Sequence, residues 1–261
     1  MNFKRRVRIA AWNDTGDPTC FACVPIDLTR ADAFLKAHNE KNPELRLTYT
    51  HIATKAVAEA LYINKKINGT VSFGNYIHNE SVALTVLVDV EGKNLVGAMA
   101  NDCNKLGFIG IAEQLKKQVK KLKLKKDKDV NEQVKLFSLL PTFFIGMVVT
   151  VASFFTYNLG FSLPALKMNK EHFGQGIITN TSRSGIFNVR APLVNFMRTI
   201  TVAVINNPRM LPQVDENGEI VIRKVMNFNV SFDHRFGDGS DAMKMIKKVE
   251  DIWQNPEKYL N

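Results

Sequence analysis

The sequence predicts an α+β fold, and three observations lead to it. Ile220–Phe232 (IVIRKVMNFNVSF) alternates apolar and polar residues as a long strand does. Thr48–Ile63 sets Ile52, Ala53, Ala56, Val57, Ala60 and Leu61 on a single helical stripe. Strands and helices otherwise mix without regular βαβ alternation or internal repeat, which argues against a doubly wound sheet. With 261 residues, 45% hydrophobic and 23% charged, the composition is that of a globular protein and excludes a disordered or fibrous chain. A folded chain of this size buries roughly 70–75% of its unfolded surface, so neither disulfides nor a structural metal is needed for stability.

The elements follow in order. A basic opening stretch, Arg5–Ala11, precedes Cys20–Asp27 (CFACVPID), which alternates as a strand. Thr29–Asn39 is expected to be a helix capped by Thr29, with Ala33, Phe34 and Ala37 on its apolar face. After the helix of Thr48–Ile63, Asn64–Thr70 breaks the pattern. Strands are expected at Val71–His78, Ser81–Val90 and Leu95–Ala100, the last two joined by the turn Glu91-Gly92-Lys93. Phe108–Leu124 is helical, and Gly176–Thr181 and Ile200–Val204 read as strands. A hairpin turning at Asp215–Gly218 leads into Ile220–Phe232, and a helix over Ser240–Trp253 closes the chain before NPEKYLN.

Two stretches stand out by charge. The net charge is +10, and eight lysines fall between Lys116 and Lys128. Nucleic acid, an anionic membrane surface and a phosphorylated cofactor are the partners such a balance suits, although a run of lysines is also an ordinary solvated helix face. No zinc-finger spacing or aromatic-rich motif accompanies the run, so nucleic acid ranks last. Leu136–Leu166 then passes through 31 residues without a charge. It is expected to be a helical insertion, with three destinations open: burial in the protein or between subunits, which ranks first, an interfacial membrane helix beside the lysines, or a span. Thr, Ser, Asn and Gly interrupt the run, and alternating strand patterns on both sides speak against a span.

Among five histidines, His38, His51, His78 and His172 have no acidic or cysteine partner at ligand spacing and suit surface or capping roles. No metal site is therefore expected. Cys20 and Cys23 form a CxxC, but residues three apart on a strand face opposite ways and no second CxxC completes a zinc site, so strand packing is expected. Three cysteines make no disulfide framework and the opening residues form no secretory leader, which points to a reducing cytoplasmic setting. His234 differs from the others. It ends the long strand in Ser231-Phe232-Asp233-His234-Arg235-Phe236-Gly237-Asp238-Gly239, where an imidazole could take a proton from a thiol or alcohol at neutral pH. Gly237 and Gly239 would allow tight backbone geometry around Asp238.

DHRFGDG resembles the DHRxxDG signature of the acyltransferase catalytic domain of 2-oxoacid dehydrogenase complexes, within the chloramphenicol acetyltransferase-like superfamily that shares HxxxDG. GEIVIRKVMNFNVSFDHRFGDGSDA is similar to the family's final hairpin strand, signature and helix; NPEKYL to its C-terminal end; GIITNT to its FTISN or FTITN strand. Leu47–Leu61 is similar to its first long helix, and Arg6-Val7-Arg8-Ile9-Ala10 to its opening RxxIA pattern. The resemblance implies a two-layer sandwich with a mixed sheet and a single catalytic domain over 1–261. It implies His234 as general base, Thr179 as hydroxyl donor to the tetrahedral oxyanion with Asn180 beside it, and Asp238 as a structural aspartate paired with Arg6. Arg235 and Gly239 would support the site. Active sites of the family form between subunits of a trimer, so a homotrimer is implied, with acyl-coenzyme A as substrate and dihydrolipoamide on another protein among the possible acceptors. No lipoyl domain, subunit-binding domain or Ala/Pro linker precedes the matched region, so a free-standing enzyme without a swinging arm is expected. The alternative is a catalytically silent scaffold of the same fold, or an oligomeric subunit with peripheral membrane contact through 136–166.

Overall fold

A computed structural model describes residues 17–90, 94–125, 141–163, 173–193 and 197–261. Arg6 and the rest of the opening stretch, the turn Glu91–Lys93, His172 and the end of the lysine run lie outside the described residues. The elements are β1 (Thr19–Asp27), α1 (Thr29–Lys41), α2 (Tyr49–Ile63), β2 (Gly69–Ser72), β3 (Asn75–His78), β4 (Leu84–Val90), β5 (Asn94–Ala100), α3 (Phe108–Lys125), α4 (Thr142–Ser153), β6 (Gly176–Asn180), β7 (Thr201–Ile205), β8 (Arg209–Val214), β9 (Ile220–Asp233) and α5 (Gly239–Gln254). Short 3-10 turns lie at Pro43–Leu45 and Pro256–Tyr259.

One seven-stranded mixed sheet runs β1-β9-β7-β6-β4-β5, with β8 pairing the outer half of β9. The pairs β4/β6 and β6/β7 are parallel and the others antiparallel. β9 is the spine because its alternation over fourteen residues lets one end pair β1 and β7 while the other end pairs β8. Helices α1, α2, α3 and α5 cover one face, which gives the second layer. Trp253 of α5 is fully buried against Phe228 of β9 and Tyr49 of α2, with ring centroids 6.1 and 5.9 Å away. Across the other face runs the loop 181–193. Buried polar residues of the sheet hold its backbone: Asn206 and Asn229 donate to the Val189 carbonyl, and Ser231 to that of Ala191. Those side chains are polar in the core because each has a carbonyl to meet.

Several local expectations are corrected. Thr29 is the first helical residue of α1 rather than its cap; the Asp27 carboxylate accepts from its N–H and hydroxyl. The buried face of α1 is Ala31, Leu35 and His38, one step round from the expected stripe, with Phe34 packing from the flank against Phe108 at 5.7 Å. His38 is thus buried and stacked on Phe34, not a surface residue. The strand expected over Val71–His78 is a two-stranded hairpin, β2–β3, because Phe73 and Gly74 both adopt positive φ, 48° and 73°. Cys20 and Cys23 are free thiols on β1, half-buried and exposed respectively.

His51 does cap. In the capping box of α2 its Nδ1 accepts the Thr48 N–H at 2.9 Å, which requires the unprotonated ring. Desolvation holds its pKa down at about 4. The unfolded chain therefore binds a proton near pH 6.5 that the folded chain refuses. Stability is expected to fall as pH drops from about 6.5 toward 4. Thermal unfolding across that range should show a weaker acid dependence in His51→Gln, whose amide keeps the capping acceptor without titrating.

The uncharged run forms α4 and a wider π turn over Phe154–Asn158. Its anchors are the Phe73–Phe154 edge contact, centroids 5.8 Å apart, and a bond from Ser72 Oγ to the Asn158 carbonyl at 3.1 Å. Burial inside this chain is partial among the described residues: Ala152, Ser153 and Thr156 are buried, whereas Phe144, Met147, Val151, Phe154, Leu159 and Phe161 are exposed. Among the described residues no helix is long and apolar enough to cross a membrane.

Candidate active site

The site begins where β9 stops. The Asp233 N–H still bonds the Ile200 carbonyl at 2.9 Å, and then the His234 N–H turns to Pro18 at 3.0 Å, which pins the backbone on both sides of the histidine. Asp233 is buried to 4% side-chain exposure, and a buried carboxylate must be paired. Arg235 supplies the pair: Nε reaches both oxygens at 3.0 and 3.1 Å and Nη2 one at 2.6 Å. The fork closes a three-residue loop around His234, which is half-buried with its ring 6.4 Å from that of Phe232. Phe236 is buried against Tyr76 at 6.1 Å and fastens the far side.

Asp238 opens α5. Its Oδ1 accepts from the N–H groups of Ser240 and Asp241 at 3.1 and 3.2 Å and from the Ser240 hydroxyl at 2.7 Å, while Asp241 returns a bond to the Asp238 N–H. This reciprocal cap is what holds the signature against the helix. The expected partner Arg6 lies outside the described residues. Tight backbone geometry belongs to Gly237, where a Cβ would come within 2.8 Å of Ile67; at Gly239 it would meet open space.

Thr179 and Asn180 end β6. Thr179 is half-buried, and Asn180 donates from Nδ2 to Thr50 Oγ1 at 3.1 Å and accepts the Ser182 N–H at 2.9 Å. Asn180, Thr48, Thr50 and Arg183 line an open cleft of about 670 Å³.

The sheet register separates the two expected catalytic residues. β6 and β7 run parallel with Thr179 level with Val204, whereas Thr201, at the start of β7, is level with Phe232. His234 lies two residues beyond Phe232 in the direction away from Val204. Five residues of strand rise thus divide His234 from Thr179, roughly 17 Å along the sheet. Within one chain they stand toward opposite ends of the strands.

Sequence reasoning did not single out Asp233 as the partner of Arg235, or Arg198 and Tyr157 near the motif. Arg198 carried a signal, being a lone charge directly before the apolar strand β7; Tyr157 and Asn158 are adjacent polar residues in a largely apolar stretch. Among the described residues, no group of three His, Cys, Asp or Glu side chains is placed to hold a metal.

Comparison with known proteins identifies the family and the fold. The model of the 2-oxoacid dehydrogenases acyltransferase (catalytic domain) matches residues 10–134 and 165–261, leaving the uncharged run between the two segments. A curated relative, the dihydrolipoyllysine-residue succinyltransferase component of the 2-oxoglutarate dehydrogenase complex of Rickettsia felis, is 24% identical over 238 residues, 90% of this chain and 49% of the relative. The chain thus spans about half the length of that protein. Among solved structures, a dihydrolipoamide acetyltransferase of Azotobacter vinelandii, studied for the role of a serine, a histidine and an asparagine in its catalytic mechanism, superposes with TM-score 0.68 at 17% identity, covering 98% of this chain and 91% of that one. Chloramphenicol acetyltransferase superposes with TM-score 0.58 at 13% identity, covering 97% and 96%. The expected sandwich with a mixed sheet is therefore the fold observed, and the chain belongs to the family of 2-oxoacid dehydrogenase acyltransferase catalytic domains.

Proposed function

We propose that the chain is a CoA-dependent acyltransferase whose site is assembled between subunits of a homotrimer, His234 of one copy meeting Thr179 of the next. The observation that supports this reading is the register: the base and the hydroxyl lie toward opposite ends of the strands of one sheet, and in the reading a second copy supplies the missing half. Exposed apolar surface supports assembly. The hairpin arm shows Met210, Val214, Ile220 and Ile222 to solvent, and α4 with its π turn adds its phenylalanines. In the reading these surfaces are covered by neighbouring copies.

The chemistry balances with both substrates present. The His234 imidazole takes the proton of an acceptor thiol or alcohol, and the freed nucleophile attacks the carbonyl carbon of the thioester. A bond forms to that carbon, and its oxygen becomes an oxyanion that accepts from the Thr179 hydroxyl. Collapse breaks the carbon–sulfur bond to CoA, and the departing thiolate recovers the proton from the imidazolium. No covalent acyl-enzyme is needed, so no reactive cysteine is required; Cys103 is buried and its thiol is pushed up to about 12, mainly by desolvation. The excess of lysine and arginine suits the phosphates of CoA. Dihydrolipoamide, free or carried by another protein, is the first acceptor to try, and a cytoplasmic setting fits the free thiols.

The test is thiol release from acetyl-, butyryl-, succinyl- and longer acyl-CoA with dihydrolipoamide as acceptor. Acceptor-dependent release of CoA is expected from the wild type. Absence of turnover with every donor, together with no binding of CoA to the assembled protein, would favour a scaffold.

A further inference from the structure

Arg198 occupies the loop just before β7, and its backbone is held at φ +48°, the left-handed region that an arginine enters only when its surroundings fix it. Those surroundings are the π turn of the uncharged run. Arg198 Nη1 donates to Asn158 Oδ1 and, at 3.4 Å, to the Val71 carbonyl, and the guanidinium lies 5.6 Å over the Tyr157 ring. These bonds use one nitrogen. The edge formed by Nε and Nη2, the fork that matches a carboxylate, is left unused among the described residues, and no Asp or Glu there pairs with Arg198. Beside it the Tyr157 hydroxyl is buried without a hydrogen-bond partner among the described residues. A half-buried guanidinium without a counterion next to an orphaned buried hydroxyl is a costly arrangement unless an anionic oxygen group completes it. Desolvation and the Arg235 charge both lower the Arg198 pKa, which places the two guanidinia in electrostatic reach. Arg235 is neutralised by Asp233, whereas Arg198 has no carboxylate partner among the described residues.

The position of this pair relative to the base identifies the ligand. Continuing the β7–β9 register past Ile200 and Asp233 sets Thr199 level with His234 and Arg198 level with Arg235. The guanidinium is therefore on the side of the corner that carries the base, where the reacting carbonyl is brought in the proposed reaction, whereas the phosphates of CoA lie a whole pantetheine arm from its sulfur. We infer that Arg198 and Tyr157 form a subsite for the terminal carboxylate of a dicarboxylic acyl chain, so that the uncharged run, through Tyr157 and Asn158, selects the acyl group. The inference rests on the acyltransferase reading above.

The experiment compares kcat/KM for succinyl-CoA with that for butyryl-CoA, of the same chain length but uncharged, in the full chain and in Arg198→Gln, Arg198→Lys and Tyr157→Phe. The wild type is expected to prefer succinyl-CoA, and the succinyl-to-butyryl ratio should fall about 100-fold in Arg198→Gln and about tenfold in Arg198→Lys and Tyr157→Phe. Acetyl-CoA against acetyl-pantetheine separates the other source of anionic oxygen. If Arg198→Gln moves that second ratio instead, the fork reads a CoA phosphate and the acyl-chain inference is overturned. It is also overturned if Arg198→Gln lowers both donors equally, or if light scattering shows that the variant disassembles, since Arg198 would then serve structure or a partner's carboxylate. A wild type that transfers both acyl groups equally sinks the subsite alone. One that transfers neither sinks the acyltransferase reading and the subsite with it.

Discussion

His234→Ala is expected to lower kcat by about a thousandfold with dihydrolipoamide as acceptor, while thermal unfolding and assembly stay close to wild type. General-base catalysis is worth about 10²- to 10⁴-fold, and an acceptor thiol with a pKa well above neutrality is almost wholly protonated without it. The fold has little reason to notice the change. His234 follows the last residue of β9, and that corner is held by the Asp233–Arg235 fork and the Asp238 cap, whose bonds run between Arg235 and Asp233 and between Asp241 and Asp238. The loss should narrow as pH rises, because the acceptor then ionises by itself. A loss that stays constant from pH 7 to 10 would show that His234 does not act as the base.

Thr179→Val is expected to reduce kcat by about 100- to 1000-fold, the range for removing one oxyanion donor. Valine keeps the branched shape and the strand preference of position 179, so β6 and its pairing with β7 should persist. Thr179→Ser restores the hydroxyl and is expected to recover most of the rate. A KM that rises while kcat holds would assign Thr179 to ground-state binding instead.

Much of this was legible before any coordinates because the two periods are physical. The stripe of α2 and the alternation of β9 each follow from the need to bury one face, and β9 extends only one residue past its predicted end. The signature was legible because it lies in one continuous stretch. What was not legible depended on groups distant in sequence. β2 and β3 separate at two positive-φ residues, and Phe34 of α1 packs from the flank on Phe108, a residue distant in sequence. Arg198 meets Tyr157 and Asn158 across about forty residues, with no spacing rule to announce it. The separation of His234 from Thr179 is likewise a property of strand order, which local pattern does not encode.

The most direct test of a site shared between subunits mixes two inactive chains. His234→Ala and Thr179→Val are unfolded together in equal amounts, refolded and assayed for acyl transfer. In randomly mixed trimers, the chance that a site draws an intact histidine from one chain and an intact threonine from the next is one in four, so about a quarter of wild-type activity should return. Activity that stays at the level of the separate variants, in mixtures shown to have exchanged subunits, would contradict the account.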